Sequence, residues 1–236
     1  MRPRLPEITS RPRRRPPRRA PCCIWLLALL VALGPCAARA GAPNGDPREP
    51  SVAALVAAVQ ADAERSEHAS RSSERARLAA DASDTSQACL ARAPRTAPCH
   101  YARALALGLL AQAHPLHALS LLKQMLEQLA RAEAGDPDFD EAGPARVRAL
   151  VLIRAPGWPL GPGNAALGLA AAQRAVALHP EFPPNWLALA EAQTKNGARA
   201  QARESYARAR ERALEAPASV DRTEWLEQAD EALRTR

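Results

Sequence analysis

The chain of 236 residues has 24% charged and 47% hydrophobic residues but only 3% aromatic residues, and its formal net charge is +7. Residues 1–40 contain nine arginines against Glu7, a net charge of +8, so residues 41–236 carry −1. A balanced surface lacks the basic face that nucleic acids require, and we therefore predict no nucleic-acid partner.

Residues 1–40 have the pattern of an export signal. A basic segment precedes the apolar run 24–33, and small residues lead to a cleavage position after Ala40. The run is too short to span a bilayer, so we predict removal of the signal and export to the periplasm. Paired arginines also allow the twin-arginine route, but the residues that follow them match it poorly, which favours ordinary secretion. The alternative to a freely soluble protein is a lipoprotein with its membrane anchor on Cys36, although Pro35 fits that signal badly.

Residues 41–50 are rich in Pro and Gly and predict a linker, after which residues 51–236 are expected to form one helical repeat domain. Ser51 is placed to cap a first helix. The stretch 66–86 is polar and predicts a helix only in part.

Cys89 and Cys99 are the two cysteines after residue 40. An even count in an oxidising compartment favours a disulfide, which would close a short loop around Pro94 and Pro98. The alternative is a pair of buried thiols on neighbouring helices.

Further helices are predicted where apolar residues recur at helical spacing between Pro or Gly breaks. Short connectors between successive helices favour antiparallel hairpins. Residues 155–163 are too rich in Pro and Gly to be helical and predict a long loop. The predicted helices cover approximately 101–114, 116–134, 144–154, 165–178, 185–196, 199–214 and 220–233.

A repeat pattern runs from Trp186 to Ala209. It reads W-x2-L-A-x6-G-x4-A-x3-Y-x2-A, which resembles the tetratricopeptide signature W-x2-L-G-x2-Y…A-x3-F…P. Ala190 and Ala202 are expected where two antiparallel helices touch, and Gly197 in the turn between them. One hairpin cannot bury its apolar face alone. We therefore predict an all-α fold, a right-handed superhelix (α-solenoid) of tetratricopeptide-like helical hairpins.

Earlier repeats are more degenerate. Pro137, Pro180 and Pro217 each follow a helix, at spacings of 43 and 37 residues, whereas such repeats usually span about 34 residues. The excess in the first interval is close to the length of the 155–163 loop. We interpret this loop as an insertion, and insertions of this kind often gather on a functional face.

Four strings between residues 136 and 191 are more specific: D-P-D-F from Asp136, G-P-x-R from Gly143, A-P-G-W-P from Ala155 and P-P-N-x-L-x-L-A-E from Pro183. Together they resemble the T component (TatT) of tripartite TRAP transporters, from Cys99 onward, although Val-Arg follows G-P-x-R where the family usually has Leu-Gly. The resemblance implies an exported tetratricopeptide-like protein, often a lipoprotein, that associates with a periplasmic solute-binding protein and can form a homo-oligomer.

The sequence offers no nucleophile and base at catalytic spacing, and we predict no enzyme, no cofactor and no metal site. His114 and His117 lack further ligands at metal spacing. Three aspartates from Asp136 onward resemble the start of a calcium loop, but Glu141 stands where the loop needs glycine, so we interpret them as helix caps.

Candidate partner-binding residues come from three places. Arg146 either meets an acidic partner or pairs internally with Asp140 or Glu141. Trp158 stands on a stiff loop, where an aromatic residue suits a contact hot spot. The last repeat is expected to turn one helix face toward the concave groove of the solenoid, and this face consists of Leu187, Glu191, Thr194 and Lys195.

Two functions fit this reading. The first is a periplasmic scaffold for protein–protein interaction that resembles the TRAP T component. The second is an envelope assembly or chaperone-like adaptor that binds peptides or outer-membrane proteins.

Overall fold

The computed structural model describes residues 50–235. The predicted signal 1–40, the lipidation candidate Cys36 and the linker up to residue 49 lie outside the described residues. Within the described part, the secondary structure is helical except for an isolated bridge between Gly157 and Gly163. No helix in residues 50–235 has the length and apolarity needed to cross a membrane. The predicted all-α class is confirmed.

Nine α-helices follow one another along the described chain, with a short 3-10 turn at Pro115–His117. They are α1 (Val52–His68), α2 (Ser72–Arg92), α3 (Ala97–Ala113), α4 (Ala118–Gly135), α5 (Phe139–Arg154), α6 (Ala165–Leu178), α7 (Pro183–Lys195), α8 (Arg199–Glu215) and α9 (Val220–Arg234).

The helices pair as four consecutive antiparallel hairpins, α1–α2, α3–α4, α5–α6 and α7–α8, and α9 packs on α8. The described helices belong to one compact unit. Its core is a row of apolar clusters between neighbouring helices, filled largely by alanine. Because alanine is small and favours the helix, adjacent backbones come close without large side chains between them.

Side-chain caps fix three of the helix starts. Ser51 Oγ accepts a hydrogen bond from the Ala54 amide at 3.1 Å, as the sequence predicted. Asn164 and Ser219 cap α6 and α9 in the same way. Each cap satisfies an amide that has no partner inside the helix.

The first hairpin is more regular than the sequence suggested. The stretch 66–86 was expected to be helical in part, and it is helical except for residues 69–71, between the end of α1 at His68 and the start of α2 at Ser72. The buried face of α2 consists of Leu78 and small residues such as Ala79 and Ala82. Such a face carries little hydrophobicity, which explains the weak sequence pattern.

Cys89 of α2 and Cys99 of α3 are joined by a disulfide, with their Cα atoms 5.4 Å apart. Both residues are fully buried in the first apolar cluster. The bond links the first hairpin to the second across the short α2–α3 connector.

The α7–α8 hairpin follows the repeat pattern closely. Ala190 and Ala202 are both buried, and Gly197 turns the chain with a φ of 79°. The Trp186 indole is half-buried, and its Nε1 donates to the Pro180 carbonyl at 2.7 Å. These positions match the roles predicted from the spacing.

Candidate functional site

An apolar cavity of about 490 Å³ opens on the side of the solenoid formed by the first helices of successive hairpins. We call it the groove cavity. It lies between α1, α3, α4 and α5. Its main apolar lining residues are Leu105, Leu109, Leu122, Met125, Val147 and Val151.

Gly108 controls the shape of this cavity from the α3 side. A Cβ placed on Gly108 would lie 3.2 Å from Met125 Cε and 3.3 Å from Met125 Sδ. The absent side chain therefore lets the Met125 thioether lie across α3. Met side chains are unbranched and adapt easily to irregular apolar space.

Polar groups gather at one end of the groove cavity. Glu67, Gln112 and Arg154 belong to its wall. Arg154 Nε and Nη2 donate to the two carboxylate oxygens of Glu191, at 2.8 and 2.6 Å. The hydrogen bond from Arg154 to Glu191 raises the pKa of Arg154. Arg154 of α5 and Glu191 of α7 thus form a fixed, bidentate ion pair beside an apolar space.

Arg146 does not face the groove cavity. Its side chain is 11% exposed, and Nη2 donates to Asp140 Oδ2 at 2.8 Å. Nη1 donates to the backbone carbonyls of Asp140 and Glu141 and to Asn185 Oδ1. The guanidinium lies over the Phe182 ring, 5.0 Å from its centroid. Of the two roles considered for Arg146, the structure places it in the internal pair with Asp140.

The backbone that Arg146 holds is unusual. Asp140, Glu141 and Ala142 have φ values of 55°, 47° and 62°, a left-handed conformation that costs about 1 to 2 kcal/mol for each residue with a side chain. Right-handed α5 therefore starts only at Gly143. The Arg146 bonds to two carbonyls of this left-handed turn offset part of that cost.

Tyr101 and Asn185 complete the same polar network. Tyr101 Oη donates to Asp140 Oδ2 at 2.7 Å, and burial raises the pKa of the Tyr101 phenol, which keeps it protonated as a donor. Asn185 Nδ2 donates to the carbonyls of Glu141, Ala175 and His179. We call these four side chains, Tyr101, Asp140, Arg146 and Asn185, the turn network.

Gly143 is required where the turn network packs against α5. A Cβ at this position would lie 2.6 Å from Asp140 Oδ2 and 2.7 Å from Tyr101 Oη. The G-P-x-R string thus has a physical reading. Gly143 leaves room for the carboxylate, Pro144 suits the first turn of a helix, and Arg146 binds the preceding turn.

Trp158 lies at the tip of the loop between α5 and α6 and does not line the groove cavity. Its side chain is 90% exposed, and that of Leu160 is 73% exposed. The loop is nonetheless well fixed, because the Gly163 amide donates to the Pro156 carbonyl at 2.8 Å and the Gly161 amide to the Gly157 carbonyl at 3.0 Å.

The four candidate residues of α7 do not share one surface. Leu187 is only 5% exposed and packs with Ala209 and Ala229 in the last apolar cluster. It is therefore not available to a partner, which corrects the expectation that it lines the groove. The pattern placed it there because it assumes an open groove, whereas α9 lies next to α7 in the structure.

The other three residues remain accessible to different degrees. Glu191 is half-buried and held by Arg154, while Thr194 and Lys195 are exposed at the end of α7. Thr194 Oγ1 donates to the Ala190 carbonyl at 2.8 Å, so its hydroxyl proton is already used within the helix.

The sequence reasoning missed Arg154 and the groove cavity. Arg154 stood in the sequence as the last residue of a helix before a Pro- and Gly-rich loop. The first helices of neighbouring hairpins lie side by side in such solenoids. Because Arg154 and Glu191 are on two such helices, their positions in the sequence could have indicated the ion pair. The cavity itself lies between α1, α3, α4 and α5, and no local sequence pattern marks a space shared by four helices.

A solved structure with a similar arrangement is that of TTC0263, a thermophilic TPR protein in Thermus thermophilus. The two chains superpose with a TM-score of 0.50 at 23% sequence identity, over 75% of this chain and 91% of that chain. This likeness shows a tetratricopeptide-like fold, as the repeat pattern predicted. No protein-family model matches the chain, and no curated protein matches its sequence.

Proposed function

We propose that this chain is a non-enzymatic, exported scaffold that binds another protein in the groove cavity. The observation that carries the proposal is the pairing of about 490 Å³ of apolar space with the fixed Arg154–Glu191 ion pair at its end. Apolar space provides burial energy, and the ion pair offers an oriented polar contact. An apolar segment of a partner with a polar group beside it fits this arrangement.

The resemblance of residues 136–191 to the TRAP T component supports a periplasmic solute-binding protein as that partner. Two of the four strings supply members of the turn network, namely Arg146 and Asn185, and Asp140 directly follows a third string, D-P-D-F. The strings therefore meet in space, where they set the path of α5 against α7. Since α5 and α7 also carry Arg154 and Glu191, the strings position the groove rather than contact the partner.

The test is a binding titration between the purified chain and the solute-binding protein encoded nearest to it. We expect saturable binding that Val151→Glu weakens at least tenfold, because a carboxylate in the apolar groove cavity loses its hydration. Leu214→Glu is the matched control, since Leu214 is an exposed leucine on α8. Equal affinity of the two variants would contradict a groove-bound partner.

A peptide-binding envelope adaptor is the second candidate, and the volume and apolar lining of the groove cavity favour it. A 490 Å³ apolar space accepts side chains of an extended or helical peptide. Apolar peptides from outer-membrane proteins would then bind in place of a folded partner. Separate titrations distinguish the two candidates: saturable binding of the solute-binding protein supports the first, and binding of such peptides without binding of the solute-binding protein supports the second.

Export is tested separately. We expect the full chain, produced in a Gram-negative host, to appear in the periplasmic fraction without residues 1–40. Cys36→Ser should leave that location unchanged for a soluble protein and should release an anchored one from the membrane fraction.

A further inference from the structure

Large apolar side chains are exposed together at one edge of the solenoid. Leu116 is 97% exposed, Trp158 90% and Leu160 73%. The 3-10 turn and the α5–α6 loop that carry them are neighbours, because a Cβ on Gly161 would lie 3.1 Å from Leu119 Cδ2. A monomeric domain gains nothing from such a cluster in water, so the cluster indicates a contact surface.

A third turn extends this edge. Asn196 Nδ2, in the α7–α8 turn, donates to the Ala165 carbonyl at 2.9 Å, at the start of α6. We call residues 112–123, 155–164 and 195–203 together the turn edge. They connect the two helices within each of the last three hairpins.

The charge of the turn edge has one sign. Its three segments contain no Asp or Glu, but they contain Lys123, Lys195, Arg199 and Arg203, all of them exposed. On the opposite edge, where successive hairpins are joined, the connector 136–141 holds four carboxylates and the α2–α3 connector carries Arg95. The turn edge therefore differs from the opposite edge in having cationic side chains without carboxylates in its own segments.

The apolar side chains also project from a fixed support. The α5–α6 loop is closed by backbone hydrogen bonds, and the Asn164 amide donates to the Leu152 carbonyl at 2.8 Å. A Cβ on Gly163 would lie 2.1 Å from the Ala155 carbonyl oxygen, so glycine is needed to close the loop this tightly. Trp158 and Leu160 are thus held outward at little cost in conformational entropy on binding.

From these observations we propose that the turn edge docks on the surface of an anionic phospholipid bilayer. Trp158, Leu160 and Leu116 enter the headgroup region, where an indole is favourable, and the cations meet lipid phosphates. A folded protein would need an apolar recess ringed with carboxylates to cover these tips, whereas a bilayer needs no preformed complement. The turn edge adjoins the groove cavity, since Gln112, Leu122 and Pro156 belong to both.

The test uses residues 46–236, the compact unit that contains all the described helices, because the apolar run 24–33 could bind lipid by itself. Circular dichroism first verifies its helical fold. We expect the protein to float with vesicles made of equal amounts of phosphatidylglycerol and phosphatidylcholine. Binding to pure phosphatidylcholine vesicles should be much weaker, and added salt should reduce binding to the anionic vesicles.

Three variants locate the binding surface. Trp158→Ala should lower the partition coefficient about tenfold, since burial of one large apolar side chain is lost. Lys195→Glu with Arg199→Glu should lower it about tenfold or more on anionic vesicles. Leu214→Ala is the matched control and should change nothing, because this leucine is also exposed but lies on α8 away from the turn edge.

Vesicles with brominated acyl chains report the depth of Trp158 directly. Brominated lipid should quench part of the tryptophan fluorescence of the unsubstituted protein. In Trp158→Phe this quenching should be absent. Trp186 and Trp225 remain half-buried within the fold. Absence of vesicle binding, or binding unchanged in Trp158→Ala, would overturn the proposal and assign the turn edge to a protein partner.

Discussion

The α7–α8 and α5–α6 hairpins have the same helix–turn–helix plan, but different interactions hold them. In α7–α8 the small residues Ala190 and Ala202 are buried, and Gly197 makes a short turn. The α5–α6 hairpin begins with a left-handed turn that the turn network binds, and it contains a long loop. A repeat that matches its pattern needs only small side chains, whereas one that departs from it needs specific polar partners.

The α5–α6 hairpin also contains both a buried structural residue and an exposed one. Arg146 has four hydrogen bonds to protein groups and little contact with solvent. Trp158, twelve residues later, has almost none of its surface covered. The sequence strings therefore contain both buried structural residues and exposed residues, and only the exposed ones can contact a partner.

The largest expected effect tests the turn network. Arg146→Met should lower the free energy of unfolding by about 3 to 5 kcal/mol, because it leaves Asp140 without its cation and the left-handed turn without its donor. Urea denaturation measures the change. Arg210→Met is the control: its pair with Asp230 is about half exposed, and loss of such a pair costs at most about 1 kcal/mol. Equal losses would abolish the contrast between the two hairpins.

The next effect concerns close packing in the α5–α6 hairpin. Gly143→Ala should cost about 2 to 3 kcal/mol, because the methyl group meets Asp140 Oδ2 and Tyr101 Oη at less than contact distance. Thermal unfolding followed by circular dichroism is the measurement. A stabilised variant, as expected from helix propensity alone, would show that the turn network yields easily.

Ala202→Leu sharpens the other half of the comparison. Ala202 is 3% exposed, and a larger side chain there should force α7 and α8 apart at a cost of about 2 kcal/mol. Ala200→Leu is the matched control, since Ala200 is exposed on the same helix. Urea denaturation should separate the two variants; the same stability for both would mean that small residues are not what brings these helices together.

The smallest expected effect is at Gly197. Its φ of 79° disfavours any side chain, but a Cβ there would meet nothing within 4 Å. Gly197→Ala should therefore cost only the backbone strain, about 1 kcal/mol. A loss in urea denaturation as large as that of Gly143→Ala would indicate that crowding at Gly143 costs no more than backbone strain at Gly197.

The sequence predicted the parts of the fold that local patterns specify. The bounds of α6 were correct, and those of α7, α8 and α9 were correct within about two residues, because Pro, Gly and apolar spacing mark them. Gly197, Ala190 and Ala202 were assigned their structural roles correctly.

The remaining features depend on contacts between distant residues. Nothing in Asp140, Glu141 or Ala142 requires a positive φ, and the turn network that stabilises it spans residues from Tyr101 to Asn185. Leu187 was misplaced because α9 covers it, and the groove cavity was missed because residues of four different helices line it. Relative placement of hairpins, rather than helix content, is what the sequence did not specify.

The Cys89–Cys99 disulfide makes the two ends of the solenoid unequal. In a chain of stacked repeats each repeat contacts only its neighbours, so the terminal repeats normally unfold first. The disulfide links the first hairpin covalently to the second. In contrast, α9 has only noncovalent contacts, such as the edge-to-face packing of Phe182 and Trp225, whose ring centroids are 5.6 Å apart. Local unfolding, unfolding under mechanical force and proteolysis should consequently start from the carboxyl end, for as long as the surrounding compartment stays oxidising.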